Sequence, residues 1–260
     1  MGIVVGLSSL LVLAVVLAQS DDSGPAIGSP TATVTSVPRT ASPTVSASPV
    51  AANESPTATE TPAIEFSFQI WSRSDGRWRS DALAKSAGFK EGETAPLLVR
   101  IDGAVVGDVY EINFRYQCRT KDAAAIDFID GIQAKDSGAL LAEPAAKRPR
   151  PDATLPIPTD PSIKFDDGAG RLFRVWGVNF HQPPVGPSPR SKCQAQKELS
   201  LTLKAFDDVV FLVVGAHLSR AADWGAGNGM SSQRAAVSIS ASVNGLDRKS
   251  VQVSPGAVSP

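Results

Sequence analysis

From Ile64 to Val253 the chain is a succession of short runs in which apolar and polar residues alternate, punctuated by turns bearing Gly, Asp or Asn. A period of two sends successive side chains to opposite faces, so such a run suits a half-buried strand and not a helix. In IEFSFQIW, Ile64, Phe66, Phe68 and Ile70 share a face, and Asp75-Gly76 follows as a tight hairpin turn. VYEINFRYQC sets Tyr110, Ile112, Phe114, Tyr116 and Cys118 against Glu111, Asn113, Arg115 and Gln117. IKFDDGAGRLFRVWGVNF reads as two strands around a Gly-rich turn from Asp166 to Gly170, and KELSLTLKAF aligns Leu199, Leu201 and Leu203. VVFLVVGAHL is apolar throughout, the pattern of a central strand covered on both faces. AAVSISASVNGLDRKSVQV carries Asn244-Gly245, a strong hairpin signal.

This pattern predicts an all-β fold, an antiparallel β-sandwich of about nine or more strands over residues 64–260. Only Asp81 to Lys85 and Ala123 to Asp127 offer weak helical windows. The stretch from Ala142 to Pro161 is too rich in proline for an inner strand and is read as a surface loop.

The N-terminal part differs sharply. Ile3 to Ala18 is an almost unbroken apolar run spanning about 24 Å at ~1.5 Å per residue, short of a bilayer core of about 30 Å. With Val16-Leu17-Ala18 as small residues at its end, it reads as a signal peptide over residues 1–18 or as a retained N-terminal anchor, although no Lys or Arg precedes it. Residues 19–63 form a Ser/Thr/Pro-rich linker with too little apolar surface to offset chain entropy. Its prolines suit a semi-stiff stalk, and Asn53-Glu54-Ser55 is an N-glycosylation tripeptide. The remainder is therefore expected outside the cytoplasm, secreted or at the cell surface, with the membrane met only through residues 3–18 if these are uncleaved. Basic and acidic residues nearly cancel, 25 against 26, which gives no reason to expect nucleic acid as a partner.

Cys118 and Cys193 are the two cysteines of the chain, and in an exported protein they are expected to form a disulfide. Tyr116-Gln117-Cys118 is similar to the tyrosine corner of immunoglobulin domains, but there the motif surrounds the second Cys and not the first. An immunoglobulin domain proper is thereby excluded.

The chain contains no His-Glu-x-x-His, no Gly-x-Ser-x-Gly elbow and no phosphate-binding Gly-Lys-Ser/Thr. In GAHLSRAADWGAGNG, His217 and Asp223 suggest a base or ligand with its partner, and Trp224 and Asn228 complete a candidate ligand loop. There Gly225, Gly227 and Gly229 would let a ligand approach the backbone. A structural turn at the end of a strand accounts for the same residues. Asp166-Asp167-Gly168 and Asp207-Asp208 offer oxygen ligands but match no EF-hand loop. Trp71, Trp78, Trp176 and Trp224 are expected in the core, and Lys147, Arg148 and Arg150 on a solvated loop.

Gly215, His217, Leu218, Arg220, Asp223, Trp224, Gly225, Asp247 and Arg248, with Cys118, Ile126, Asp127 and Phe128 earlier, form a pattern that resembles a group of secreted bacterial β-rich cell-surface domains. Those carry Gly-Gly-His-Leu followed by Arg-x-x-Asp-Trp-Gly, and some lie beside prealbumin-like repeats. Here Ala216 replaces the second Gly, and the likeness covers most of residues 105 to 253. It implies a β-rich surface module with no established activity. No cofactor or metal is expected. The expectation is a non-enzymatic surface or matrix module meeting a surface glycan or another extracellular protein. A carbohydrate-binding module is the alternative, and a metal-assisted hydrolase around His217 and Asp223 the third reading.

Overall fold

The computed structural model describes residues 63–143, 148–166, 168, 170–188, 193 and 196–260. The expected signal or anchor, the glycosylation tripeptide, Asp167, Lys147 and all of the linker before Ala63 lie outside the described residues. The strands, in chain order, are β1 (Glu65–Ser72), β2 (Arg77–Arg79), β3 (Ala82–Leu83), β4 (Phe89–Lys90), β5 (Thr94–Asp102), β6 (Val109–Gln117), β7 (Ile126–Asp130), β8 (Ala153–Pro156), β9 (Leu172–Trp176), β10 (Val178–Val185), β11 (Gln196–Ala205), β12 (Val209–Leu218), β13 (Val237–Val243), β14 (Lys249–Val253) and β15 (Val258–Ser259).

They build a β-sandwich. The larger sheet runs β2-β1-β5-β12-β9-β8, with β7 also on β12, and the smaller runs β10-β11-β6-β13-β14-β3. Inward residues of the two sheets meet in one core. Phe68, Leu97, Val99, Leu212 and Val214 come from the larger sheet, and Ile112, Phe114, Leu199, Leu201 and Ile239 from the smaller. Phe68 and Phe114 touch across the layers, their ring centroids 6.1 Å apart. β12 is buried on both sides of its sheet, as its sequence predicts. Val210, Leu212 and Val214 face the main core, and Phe211 and Val213 join Leu98 and Trp176 in an outer apolar layer. That layer is covered in part by Trp78 and by Leu140 of helix α1 (Ser137–Ala142).

The structure corrects several expectations. Pairing is not uniformly antiparallel: β14 with β3 and β15 with β4 are short parallel pairs. Asp81 to Lys85 contains β3, and Ala123 to Asp127 is a buried approach to β7. Both were weak helix formers captured by tertiary pairing. The segment before the Gly-rich turn, Ile163 to Phe165, is turn and not strand. The two strands expected around that turn both follow it, as β9 and β10. Within the proline-rich stretch, β8 pairs with β9 as an edge strand, where missing N–H donors do least harm.

At Gly177 the chain leaves the larger sheet (β9) and enters the smaller (β10). Its φ is 74°, and a Cβ placed there would lie 2.2 Å from the Val209 carbonyl oxygen. Positive φ and backbone crowding together demand glycine. Gly177→Ala is expected to cost about 2–4 kcal/mol. Urea unfolding measures this, and a loss under about 0.5 kcal/mol would contradict the corner geometry.

Candidate functional site

His217 stands near the end of β12, opposite β7. The register there shifts between Ala216, paired with Ile129, and Leu218, paired with Ile126. Two β7 residues, Asp127 and Phe128, therefore oppose one on β12, the geometry of a β-bulge. The bulge brings both to the imidazole. Asp127 Oδ2 lies 3.0 Å from His217 Nδ1, and Phe128 stacks on the ring with centroids 4.4 Å apart and planes 11° apart. Trp224, in the short helix α2 (Ala221–Trp224), donates its indole N–H to Asp127 Oδ1 at 2.7 Å. Both oxygens of this fully buried carboxylate are thus occupied. Burial still pushes its pKa above the usual carboxylate value, and the His217 and Trp224 hydrogen bonds only partly offset that.

The partner of His217 is therefore Asp127 and not Asp223. Asp223 forms a two-bond ion pair with Arg220, both contacts 3.0 Å, which holds the Arg220 guanidinium above its ordinary pKa. Asn228 accepts from Arg119 at 3.3 Å through its side chain and from the Ala124 amide at 3.1 Å through its carbonyl. The four loop residues singled out in the sequence do gather at one end of the sandwich, but their polar atoms are directed largely at other protein groups. Gly225 and Gly227 are turn residues with φ of 95° and 73°. Gly229 differs: a Cβ there would meet the Glu91 carboxylate at 2.1 Å and push that side chain aside.

Glu91 is a residue the sequence did not single out. Its Oε2 accepts the Ala221 amide at 2.8 Å, and its Oε1 accepts the Ser231 amide at 3.0 Å and the Ser231 hydroxyl at 2.5 Å. One carboxylate thus fastens both ends of the loop that follows β12. Gln233, buried, donates to the Ala123 and Ala124 carbonyls at 2.8 Å each, tying the loop's far end to the approach of β7.

Cys118 and Cys193 are disulfide-bonded, with Cα atoms 5.1 Å apart. Around them Phe128 and Ile163 are buried, with Phe165 and Trp224 packed alongside. Beside this satellite core lies a second polar group that sequence reading missed. Lys197, fully buried on β11, has Nζ 3.1 Å from Asp160 Oδ2, and Asp166 pairs with Arg171 at 2.7 Å. Arg171 also lies over the Phe128 ring, 4.7 Å from its centroid. The signal for Lys197 was present, because it shares the inward parity of Leu199, Leu201 and Leu203.

No group of three or more His, Cys, Asp or Glu side chains able to hold a metal occurs among the described residues. Of the proposed oxygen ligands, Asp166 is paired with Arg171, and Asp207 with Arg148, which holds Asp207 down to about 2. Trp71 and Trp176 are buried, and Trp78 and Trp224 are half-buried, so the Trp residues serve packing, as expected. A cleft of about 540 Å³ opens instead at the outer apolar layer, lined by Ile132, Leu140, Arg174 and Trp176 among others. No helix among the described residues is long and apolar enough to cross a membrane.

Compared with protein-family models, curated proteins and solved structures, the chain matches none.

Two measurements test this geometry. Because burial raises the folded pKa of Asp127, the folded state holds that proton more tightly than the unfolded one. Its stability contribution is full below the unfolded value of 3.8 and is lost as pH rises through the folded value. Asp127→Asn keeps the shape without the charge. Parallel denaturation of both proteins should therefore shift in the variant's favour as pH rises across that window, and a pH-independent difference would contradict the assignment. The disulfide closes a sequence separation of 75, and reducing it is expected to cost about 2–4 kcal/mol. An unchanged Tm after reduction would show the bridge to be energetically idle.

Proposed function

We propose that this chain is a non-enzymatic module that works outside the cytoplasm and meets a surface glycan or another extracellular protein. The disulfide supports an oxidising compartment. The observation that carries the non-enzymatic reading is the closure of the His217 group. Asp127 spends both oxygens on His217 and Trp224, Asp223 is held by Arg220, and Asn228 by Arg119. Each carboxylate of this group is engaged by a protein neighbour, an arrangement suited to packing and loop anchorage.

Orientation adds to the reading. The chain enters the sandwich beside Gly103, where Glu65 pairs with Asp102 of β5, and His217 pairs with Thr94 at the other end of that strand. At ~3.4 Å per residue the two ends lie about 27 Å apart. Ala63 and the His217 loop therefore lie at opposite ends of β5. The likeness to secreted cell-surface domains points the same way, as a proposal about kinship.

Glycan binding through a protein cleft is the second reading, favoured by the apolar opening with Trp176 and Arg174 in its wall. Pull-down of the non-reduced protein on insoluble polysaccharides and bacterial cell walls separates the two, with heat-denatured protein as control. Retention of folded protein that is lost in Arg174→Ala assigns glycan binding to the cleft. Retention that survives this change and falls with substitutions in the His217 loop supports the far end as the binding face. Failure to bind any matrix removes the glycan as partner and leaves an extracellular protein.

A further inference from the structure

We propose that Lys197 and Asp160 condense into an intramolecular isopeptide crosslink, joining the loop after β8 to strand β11. Lys197 Nζ sits 3.1 Å from Asp160 Oδ2 and 3.4 Å from Oδ1, so it is within reach of the carboxyl carbon between them. The side chains of the pair are 0% and 1% exposed. An amine and a carboxyl held together without bulk water are placed for amide formation, and the product is shielded from hydrolysis.

Ser162 supplies what the step needs. Its hydroxyl lies 2.5 Å from Lys197 Nζ and 2.7 Å from Asp160 Oδ1, bridging nucleophile and leaving oxygen. The step begins with transfer of one proton from Nζ to the carboxylate, which frees the nitrogen lone pair. The Nζ lone pair then attacks Cγ, and a C–N bond forms. Ser162 passes a proton from nitrogen to the departing oxygen, the C–O bond breaks, and one water leaves. No oxidation or reduction occurs, and no co-reactant is required. Tyr116, the cross-strand neighbour of Lys197, is buried, and its hydroxyl makes no hydrogen bond with a described residue. That aromatic wall helps keep the site dry. Asp160 is followed by Pro161, which has no N–H, so the carboxyl cannot be consumed by cyclisation onto the next amide.

Peptide mapping of the full-length protein by mass spectrometry, after reduction and denaturation, tests the proposal. The expected product is a branched peptide joining the segments that contain Asp160 and Lys197, lighter than their sum by one water. Lys197→Arg, which keeps the charge, abolishes it. Ser162→Ala slows its appearance in freshly synthesised protein by about a hundredfold. Separate linear peptides with both side chains unmodified in the wild-type protein would overturn the proposal. The wild-type map decides this even where a variant fails to fold.

Discussion

The double coverage of β12 is the constraint on which the rest of the structure depends. A ten-residue strand with no Asp, Glu, Lys or Arg cannot present either face to water, so it needs a sheet neighbour on each edge and a layer on each side. β5 takes one edge along its whole length, and β9 and β7 share the other. The smaller sheet covers the inner face. On the outer face Phe211 and Val213 join Leu98 and Trp176 in a layer covered in part by Trp78 and Leu140, which draws a short helix onto the sheet where the alternating sequence alone gives no hint of one.

The split of the second edge has a consequence for the His217 end. β9 leaves β12 before its last residues, and β7 takes over with one residue too many. That excess turns Asp127 and Phe128 toward the imidazole and makes the bulge the origin of the polar cluster. Glu91 and Gln233 then fasten the loop that follows, and the disulfide and Phe165 close the space beneath Trp224. The same end concentrates the buried polar residues Asp127, Asp160, Arg171 and Lys197. Buried polar groups of this kind add little net stability but penalise any packing that leaves one unsatisfied, which favours a single arrangement of the loops.

Much of the fold was legible because alternation and turn chemistry are local. β1, β6, β11, β12 and the β13–β14 hairpin stand where period two and Asn244-Gly245 put them. The short strands β3, β4 and β15 were not legible, since two residues carry no period and exist only through their partners. The candidate site was half legible. His217, Trp224 and the disulfide were named, but the partner of His217 lies 90 residues away on β7 and was displaced in the reading by the nearer Asp223. Glu91 gave no signal at all, because a capping carboxylate in a turn looks like any solvated acid until the loop it holds is in place.

The polar residues at the His217 end lock the loop that follows β12. Hydrogen exchange at the Ala221 and Ser231 amides, both held by Glu91, tests it most directly. The account predicts protection close to that of the β12 amides, falling sharply in Glu91→Gln. Exchange at the rate of an unstructured peptide in the wild-type protein would show an open, mobile loop and contradict it.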